Sequence, residues 1–258
     1  MPPITLLTDF GTADGYVGEM KGVILSLASE VPIIDISHEV PAHDVDAARL
    51  AVARYWRRFP AGVVHVVVVD PGVGTDRAAI AVASAGRFLV GPDNGALSPA
   101  MLRPGAHVVR LPIPAGASAT FHGRDVFAPA AARLATGVAL DDLGPSMAEP
   151  IIRRTPEARR LADGTVAGEV IAMDRFGNLV TNLVAPHGGS VSIGGRSVGE
   201  IVRTYADAPP GGLVALVGST GLVEVAHRDG SAARELGAAR GTPVLLTPLR
   251  PHPPPGRP

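Results

Sequence analysis

Residues 63–69 are apolar at every position except His65, and the run stops abruptly at Asp70-Pro71-Gly72. A run this short and continuous, bounded by turn residues, is the pattern of a strand buried on both faces. Such strands belong to largely parallel sheets covered by helices on either side. The neighbouring segments repeat the theme. Residues 4–8 read as a first strand and 33–36 as a second, with Tyr16, Val17, Met20, Val23, Ile24 and Leu27 recurring at helical spacing between them. Ala48, Val52, Tyr55, Trp56 and Phe59 make the stripe of a second helix; 79–83 and 88–90 read as further strands, and 126–134 as a helix. Strands alternating with helices predict an N-terminal α/β domain with a largely parallel sheet over residues 1–158.

The rhythm breaks at Arg153-Arg154-Thr155-Pro156-Glu157 and Arg159-Arg160, before Asp163-Gly164, which places a domain boundary there. Beyond it, strand-like runs at 166–173, 179–184, 191–193, 213–217, 222–226 and 244–246 are separated by Gly and Asn turns, and only 231–237 looks helical. That pattern predicts a smaller C-terminal antiparallel β-barrel-like domain over 165–249. Residues 250–258 hold five prolines in nine positions and read as an extended, poorly ordered tail.

Composition narrows the function. With 23 Lys plus Arg against 24 Asp plus Glu, the net charge of -1 gives no electrostatic reason to bind nucleic acid or an anionic membrane, and points to a small-molecule partner. The absence of cysteine removes thiolate metal sites and Cys nucleophiles. Mean hydropathy is positive at +0.25, yet no apolar run approaches the roughly 20 residues that span a bilayer. The first residues lack the basic and small-residue pattern of a signal peptide, so the expected compartment is the cytoplasm.

Chemistry-bearing residues cluster after strand-like runs, where open α/β sheets collect their ligands. Thr8-Asp9-Phe10-Gly11 puts a carboxylate after strand one, suited either to a vicinal diol or, with Asp14 as the alternative, to capping the next helix. In the segment from Asp70 to Arg77 a guanidinium returns toward a carboxylate, forming either a fixed fork or a surface ion pair. Gly91-Pro92-Asp93-Asn94-Gly95 reads as a turn, with a ligand role for Asp93 as the alternative. Phe121-His122-Gly123-Arg124-Asp125 sets an imidazole before a helix, where it serves as a base near neutral pH or as a structural histidine. No His spacing indicates a metal, and none is expected; the other seven histidines have no comparable context. Asp174-Arg175-Phe176-Gly177-Asn178 reads as a hairpin loop whose aromatic and amide could stack on a base, and Ser219-Thr220-Gly221 as a turn.

In their order along the chain these segments, together with Tyr16-Val17-Gly18, Ile36-Ser37-His38, Phe127-Ala128-Pro129 and Thr181-Asn182, resemble the S-adenosyl-L-methionine hydrolase (SAM hydroxide adenosyltransferase, DUF62) family, a relative of fluorinases and chlorinases. The resemblance implies hydrolysis of S-adenosyl-L-methionine to adenosine and methionine, without a cofactor. It implies a homotrimer with active sites at subunit interfaces, in which adenosine could co-purify. It assigns Asp70, Arg77 and His122 to water activation. On the chemistry of these groups His122 is the preferred proton acceptor, with Asp70 orienting or assisting it, and which of the two first takes the proton stays open. Asp9 goes to the ribose hydroxyls, Phe176 and Asn178 to adenine, and Asp174 and Ser219 to the methionine end. Ser219-Thr220 does not reproduce the Ser-Arg pair of the halogenating relatives, which in turn lack the Asp-Arg-His set. The alternatives are a chlorinase, a non-catalytic adenosyl-binding protein and a metal-dependent hydrolase recruiting Asp9, Asp70, Asp93 and His122.

Overall fold

A computed structural model describes residues 1–185 and 188–249; the Pro-rich tail and His187 lie outside the described residues. The chain divides into two compact units, Met1–Arg154 and Thr155–Pro258.

In the first unit the sheet is built from β1 (Ile4–Thr8), β2 (Ile33–Ser37), β3 (Val64–Val68), β4 (Ala79–Ser84), β5 (Arg87–Pro92) and β6 (His107–Leu111), in the order β2-β1-β3-β5-β4-β6. β2, β1, β3 and β5 run parallel, while β4 joins β5 and β6 antiparallel. Every residue of β3 is buried, as its apolar run requires. Val64, Val66 and Val68 pack on one face with Met20 and Ile24 of α1 (Tyr16–Leu27) and the alanines of α4 (Ala128–Ala135). Val67 and Val69 pack on the other with Ala48 and Val52 of α2 (Val45–Tyr55) and Ala100 of α3 (Ser98–Met101). Two covered faces leave only the strand ends for chemistry.

Local sequence explains the helix boundaries. Asp44 caps α2 by accepting the Ala47 N–H at 2.9 Å. α2 tightens into a 3-10 turn at Trp56–Arg58 that buries Trp56. The helix expected over 126–134 starts earlier, with a π turn at Gly123–Phe127 running into α4. β6 was not expected. Its buried residues are Val108, Val109 and Leu111, too few to stand out as a run.

The second unit has β7 (Arg159–Arg160), β8 (Val166–Met173), β9 (Leu179–Thr181), β10 (Ser190–Ile193), β11 (Arg196–Val202), β12 (Leu213–Val217), β13 (Val223–His227), α5 (Ala232–Leu236) and β14 (Pro243–Thr247). The order β14-β10-β11-β12-β13-β9-β8 closes through a β14–β8 pairing into a seven-stranded barrel, with β7 added alongside β8. The barrel is antiparallel except at β11–β12, which run parallel. β11 was missed because it is polar and has no fully buried residue, and a 3-10 turn at Tyr205–Asp207 adds helical structure beyond the expected 231–237 segment. α5 has the predicted signals, with Ser231 capping at the Arg234 N–H and Gly237 left-handed at its end. Among the described residues no helix is long and apolar enough to cross a membrane.

The exception within the β3 run is resolved by two hydrogen bonds. His65 is fully buried; its Nε2 lies 3.0 Å from the Trp56 carbonyl, which only accepts, so the ring proton sits there and Nδ1 accepts from the Thr5 hydroxyl at 2.7 Å. Burial pushes its pKa down to about 4. An unfolded His titrates near 6.5, so the unfolded chain binds the extra proton first and stability falls as pH drops from about 6.5 to about 4, by on the order of 3 kcal/mol. A His65 NMR titration should show a neutral ring down to about pH 4; a midpoint near 6.5 would contradict this packing.

Candidate active site

Three segments deliver the central residues. β3 ends just before Asp70, and the chain turns back through Val73 N–H to the Asp70 carbonyl (3.2 Å) and the Thr75 hydroxyl to the Gly72 carbonyl (2.7 Å), which returns Arg77 beside Asp70. Gly74 has φ +78°, and a Cβ there would collide with the Ala119 carbonyl. The 70–77 loop therefore lies directly against the segment leading to His122, the residue before the π turn.

Arg77 Nη2 donates to Asp70 Oδ2 at 2.5 Å and to His122 Nδ1 at 3.0 Å, while Nη1 donates to the Ala78 carbonyl at 3.0 Å. The guanidinium also sits 5.6 Å from the centre of the Phe127 ring. The Asp70 and Arg77 side chains are only 5% and 8% exposed, and His122 is 4% exposed. A guanidinium only donates, so His122 Nδ1 is an acceptor and the neutral ring carries its proton on Nε2. Burial and then the Arg77 charge lower the His122 pKa, keeping the ring neutral. Burial raises the Asp70 carboxyl above the ordinary carboxylate range, with Arg77 opposing. Asp70 Oδ1 is buried and meets no donor in hydrogen-bonding geometry, although the Gly72 N–H also acts on the carboxylate and, like Arg77, opposes the rise. The arrangement is thus a neutral imidazole, a fixed cation, and a carboxylate with one unclaimed oxygen.

Asp70 and His122 form part of the wall of a cavity of about 290 Å³ that is also lined by Asp9, Phe10, Tyr16 and His43. A neighbouring cavity of about 400 Å³ shares Phe10, Tyr16 and Phe121, whose rings meet edge to face or tilted at 5.3–5.8 Å between centres. Asp9 does not cap α1, and neither does Asp14: the N-cap is left-handed Gly15 with no side-chain bond. Asp9 Oδ2 instead accepts the His43 N–H at 2.8 Å.

His43 lines the same cavity, and the sequence does not single it out. Its φ of +66° is unusual for a non-glycine residue, and it turns the chain into the Asp44 cap of α2. The only available sequence signal was its place in Pro41-Ala42-His43-Asp44, just ahead of a helix start. His38, which the sequence marks only as part of the Ile36-Ser37-His38 motif, is buried with Nδ1 2.9 Å from the Thr8 hydroxyl and Nε2 3.1 Å from Asp35 Oδ1, supporting the strand end that carries Asp9. Asp93 is buried as part of its turn and is not in the cavity lining; its carboxylate accepts the Ile151 N–H at 2.8 Å.

In the second unit, Asp174, Phe176 and Asn178 share the β8–β9 hairpin, as expected. Asp174 Oδ1 accepts the N–H groups of Phe176 and Asn178, both at 2.9 Å, and Oδ2 accepts the Asn178 side-chain amide at 2.9 Å. This clasp, with Gly177 at φ +81°, leaves the Phe176 ring 68% exposed. Ser219 is exposed on the turn between β12 and β13. Next to it Glu224 reaches Gly218 and accepts the Tyr205 hydroxyl at 2.6 Å. That bond, then burial, pushes the Tyr205 pKa up to about 12, and the Asp174 charge adds to the rise. Among the described residues no group of three or more His, Cys, Asp or Glu is placed to hold a metal ion.

Comparison with known proteins identifies the family of the chain. The chain is 44% identical over 263 residues to the (R)-S-adenosyl-L-methionine hydrolase of Thermus thermophilus, covering 95% of this chain and all of the relative. It is 27% identical over 290 residues to a fluorinase of Actinopolyspora mzabensis, covering 95% of this chain and 97% of the fluorinase. A solved structure of a conserved protein from Thermotoga maritima superposes with a TM-score of 0.85 at 31% identity, covering 95% of this chain and 99% of that one. The sequence profile described as the SAM hydroxide adenosyltransferase N-terminal domain matches residues 4–144, and the C-terminal domain profile of the same family matches 168–245. On agreement of that length, reaching into both units, the chain belongs to the SAM hydroxide adenosyltransferase family.

Proposed function

We propose that this chain hydrolyses S-adenosyl-L-methionine, as the (R)-sulfonium epimer named for its relatives, to adenosine and L-methionine. The observation that carries this reading is the buried Asp70–Arg77–His122 contact in the wall of a cavity shared with Asp9. Water oxygen attacks ribose C5′, the C5′–S bond breaks, and its electron pair leaves on sulfur. The cationic sulfonium becomes a neutral thioether, so the leaving group needs no acid. What the protein must supply is an oriented water and an acceptor for its proton.

Asp70 Oδ1 is that acceptor in our reading, because its lone pairs are unclaimed and burial makes the carboxylate more basic than usual. The preference for His122 drawn from the sequence yields on one point: Nδ1 is already used by Arg77. His122 then orients the same water through its Nε2 proton, and Arg77 holds both groups in place. Asp9 receives the ribose hydroxyls. Phe176 and Asn178 serve the adenine side, and Asp174 and Ser219 the methionine end. Phe176 and Met173 are both exposed apolar side chains, which supports their being covered by another copy; the assembly we propose is a trimer in which an adjacent copy completes each site.

Incubation with S-adenosylmethionine in chloride buffer, with and without chelator, should yield adenosine and methionine in equal amounts in both arms. A 5′-chloro-5′-deoxyadenosine product, or loss of activity in chelator, would overturn the proposal. His122→Ala and Arg77→Ala should slow single-turnover adenosine formation by about 100-fold or more while substrate still binds. His122→Ala is the cleaner test, since Arg77→Ala strands a buried carboxylate. Near-wild-type rates in both variants would refute the roles. The reactive form needs Asp70 ionised, so the rate should fall with acidification in a limb centred above the ordinary carboxylate value of 3.8. A rate that stays flat to pH values below that would exclude Asp70 as the base.

A further inference from the structure

The Gly91-Pro92-Asp93-Asn94-Gly95 turn is more than a connector, because its contacts converge on the chain either side of Asp70 and Arg77. Asn94 Nδ2 donates to the Val69 carbonyl at 2.8 Å, immediately before Asp70. Its Oδ1 accepts the Ala96 N–H at 3.1 Å, so both ends of the amide are committed and its orientation is set. The Asp93 N–H donates at 2.9 Å to the Ala78 carbonyl, the same oxygen that holds Arg77 Nη1. The turn is in turn strapped by residues 151–153. Ile151 N–H donates to Asp93 Oδ1 at 2.8 Å, Arg153 Nε to the Asn94 carbonyl at 2.9 Å, and Arg153 N–H to the Ser98 hydroxyl at 2.8 Å. Gly95 sits under the Arg153 side chain with φ +96°, and a Cβ there would collide with it.

We propose that Asp93 and Asn94 are positioning residues of the hydrolytic trio: Asn94 pins the Val69–Asp70 strand end, and Asp93 pins the Ala78 backbone while placing a second negative charge in the field of Arg77. The proposal rests on the role given to the trio above. The groups facing Arg77 are then Asp70, His122, the Ala78 carbonyl, the Phe127 ring and, at longer range, Asp93, while Asp125 also acts on His122. The Arg77 charge in turn offsets part of the rise that burial imposes on the Asp93 carboxyl. Asp70 and Asp93 thus share the field of one guanidinium, and a second carboxylate charge in that field opposes ionisation of the first, so removing it favours Asp70 ionisation.

The test uses wild type, Asn94→Ala and Asp93→Asn; the amide in the second variant keeps an acceptor for the Ile151 N–H. Two readouts are followed, the NMR titration of the His122 ring and the kinetics of adenosine formation. Asn94→Ala should loosen the Arg77 contact and raise the His122 midpoint, and lower kcat by roughly 10-fold with little change in KM. Asp93→Asn should move the acid limb of kcat to lower pH. Unchanged His122 midpoints together with unchanged kcat and pH profile in both folded variants would overturn the proposal. The NMR arm needs no substrate, so failure of wild type to form adenosine would sink the hydrolase reading while the titrations still decide the positioning role.

Discussion

A guanidinium only donates, so burying the Arg77 side chain to 8% exposure obliges the fold to bring acceptors to it. They come from three places: the Asp70 carboxylate at the end of β3, the His122 ring before α4, and the Ala78 carbonyl ahead of β4. Removing one partner of a buried ion pair costs about 3–5 kcal/mol, which is a large fraction of a domain's stability. The tight return of the 70–77 loop and the close approach at Gly74 follow from this need.

The stabilising contact also distributes the chemistry. One Asp70 oxygen neutralises Arg77, and the other is left buried with no donor in hydrogen-bonding geometry. By occupying His122 Nδ1, Arg77 settles which ring nitrogen carries the proton. A site arranged to attack a sulfonium has little new charge to stabilise, because the reaction neutralises charge as the bond to sulfur breaks. Orientation and exclusion of bulk water are then the main levers, and in the proposed mechanism rigid placement of the three side chains supplies the first.

Much of the fold could be read from hydrophobic periodicity. Continuous burial of β3, alternation of strands and helices, and turn residues between short strands each carry a period or composition of their own. What escaped was weakly patterned: β6 with a short apolar set, β11 with none fully buried, and the π turn, whose bonding has no compositional mark. In the site, Asp70, Arg77 and His122 were each ambiguous alone and were singled out by their order among other motifs. Arg77 and His122 stand 45 positions apart in the chain, so no local pattern reports their contact. His43 and Asn94 make their contacts to Asp9 and to the Val69 carbonyl through a backbone N–H and an oriented amide, and those are decided by tertiary geometry.

The central claim is that water, activated beside Asp70, attacks the ribose carbon. Reaction in H₂¹⁸O followed by mass spectrometry tests this most directly. Adenosine should carry one ¹⁸O at its 5′ oxygen and methionine none. Adenosine formed without the label, or label appearing in methionine, would contradict the account.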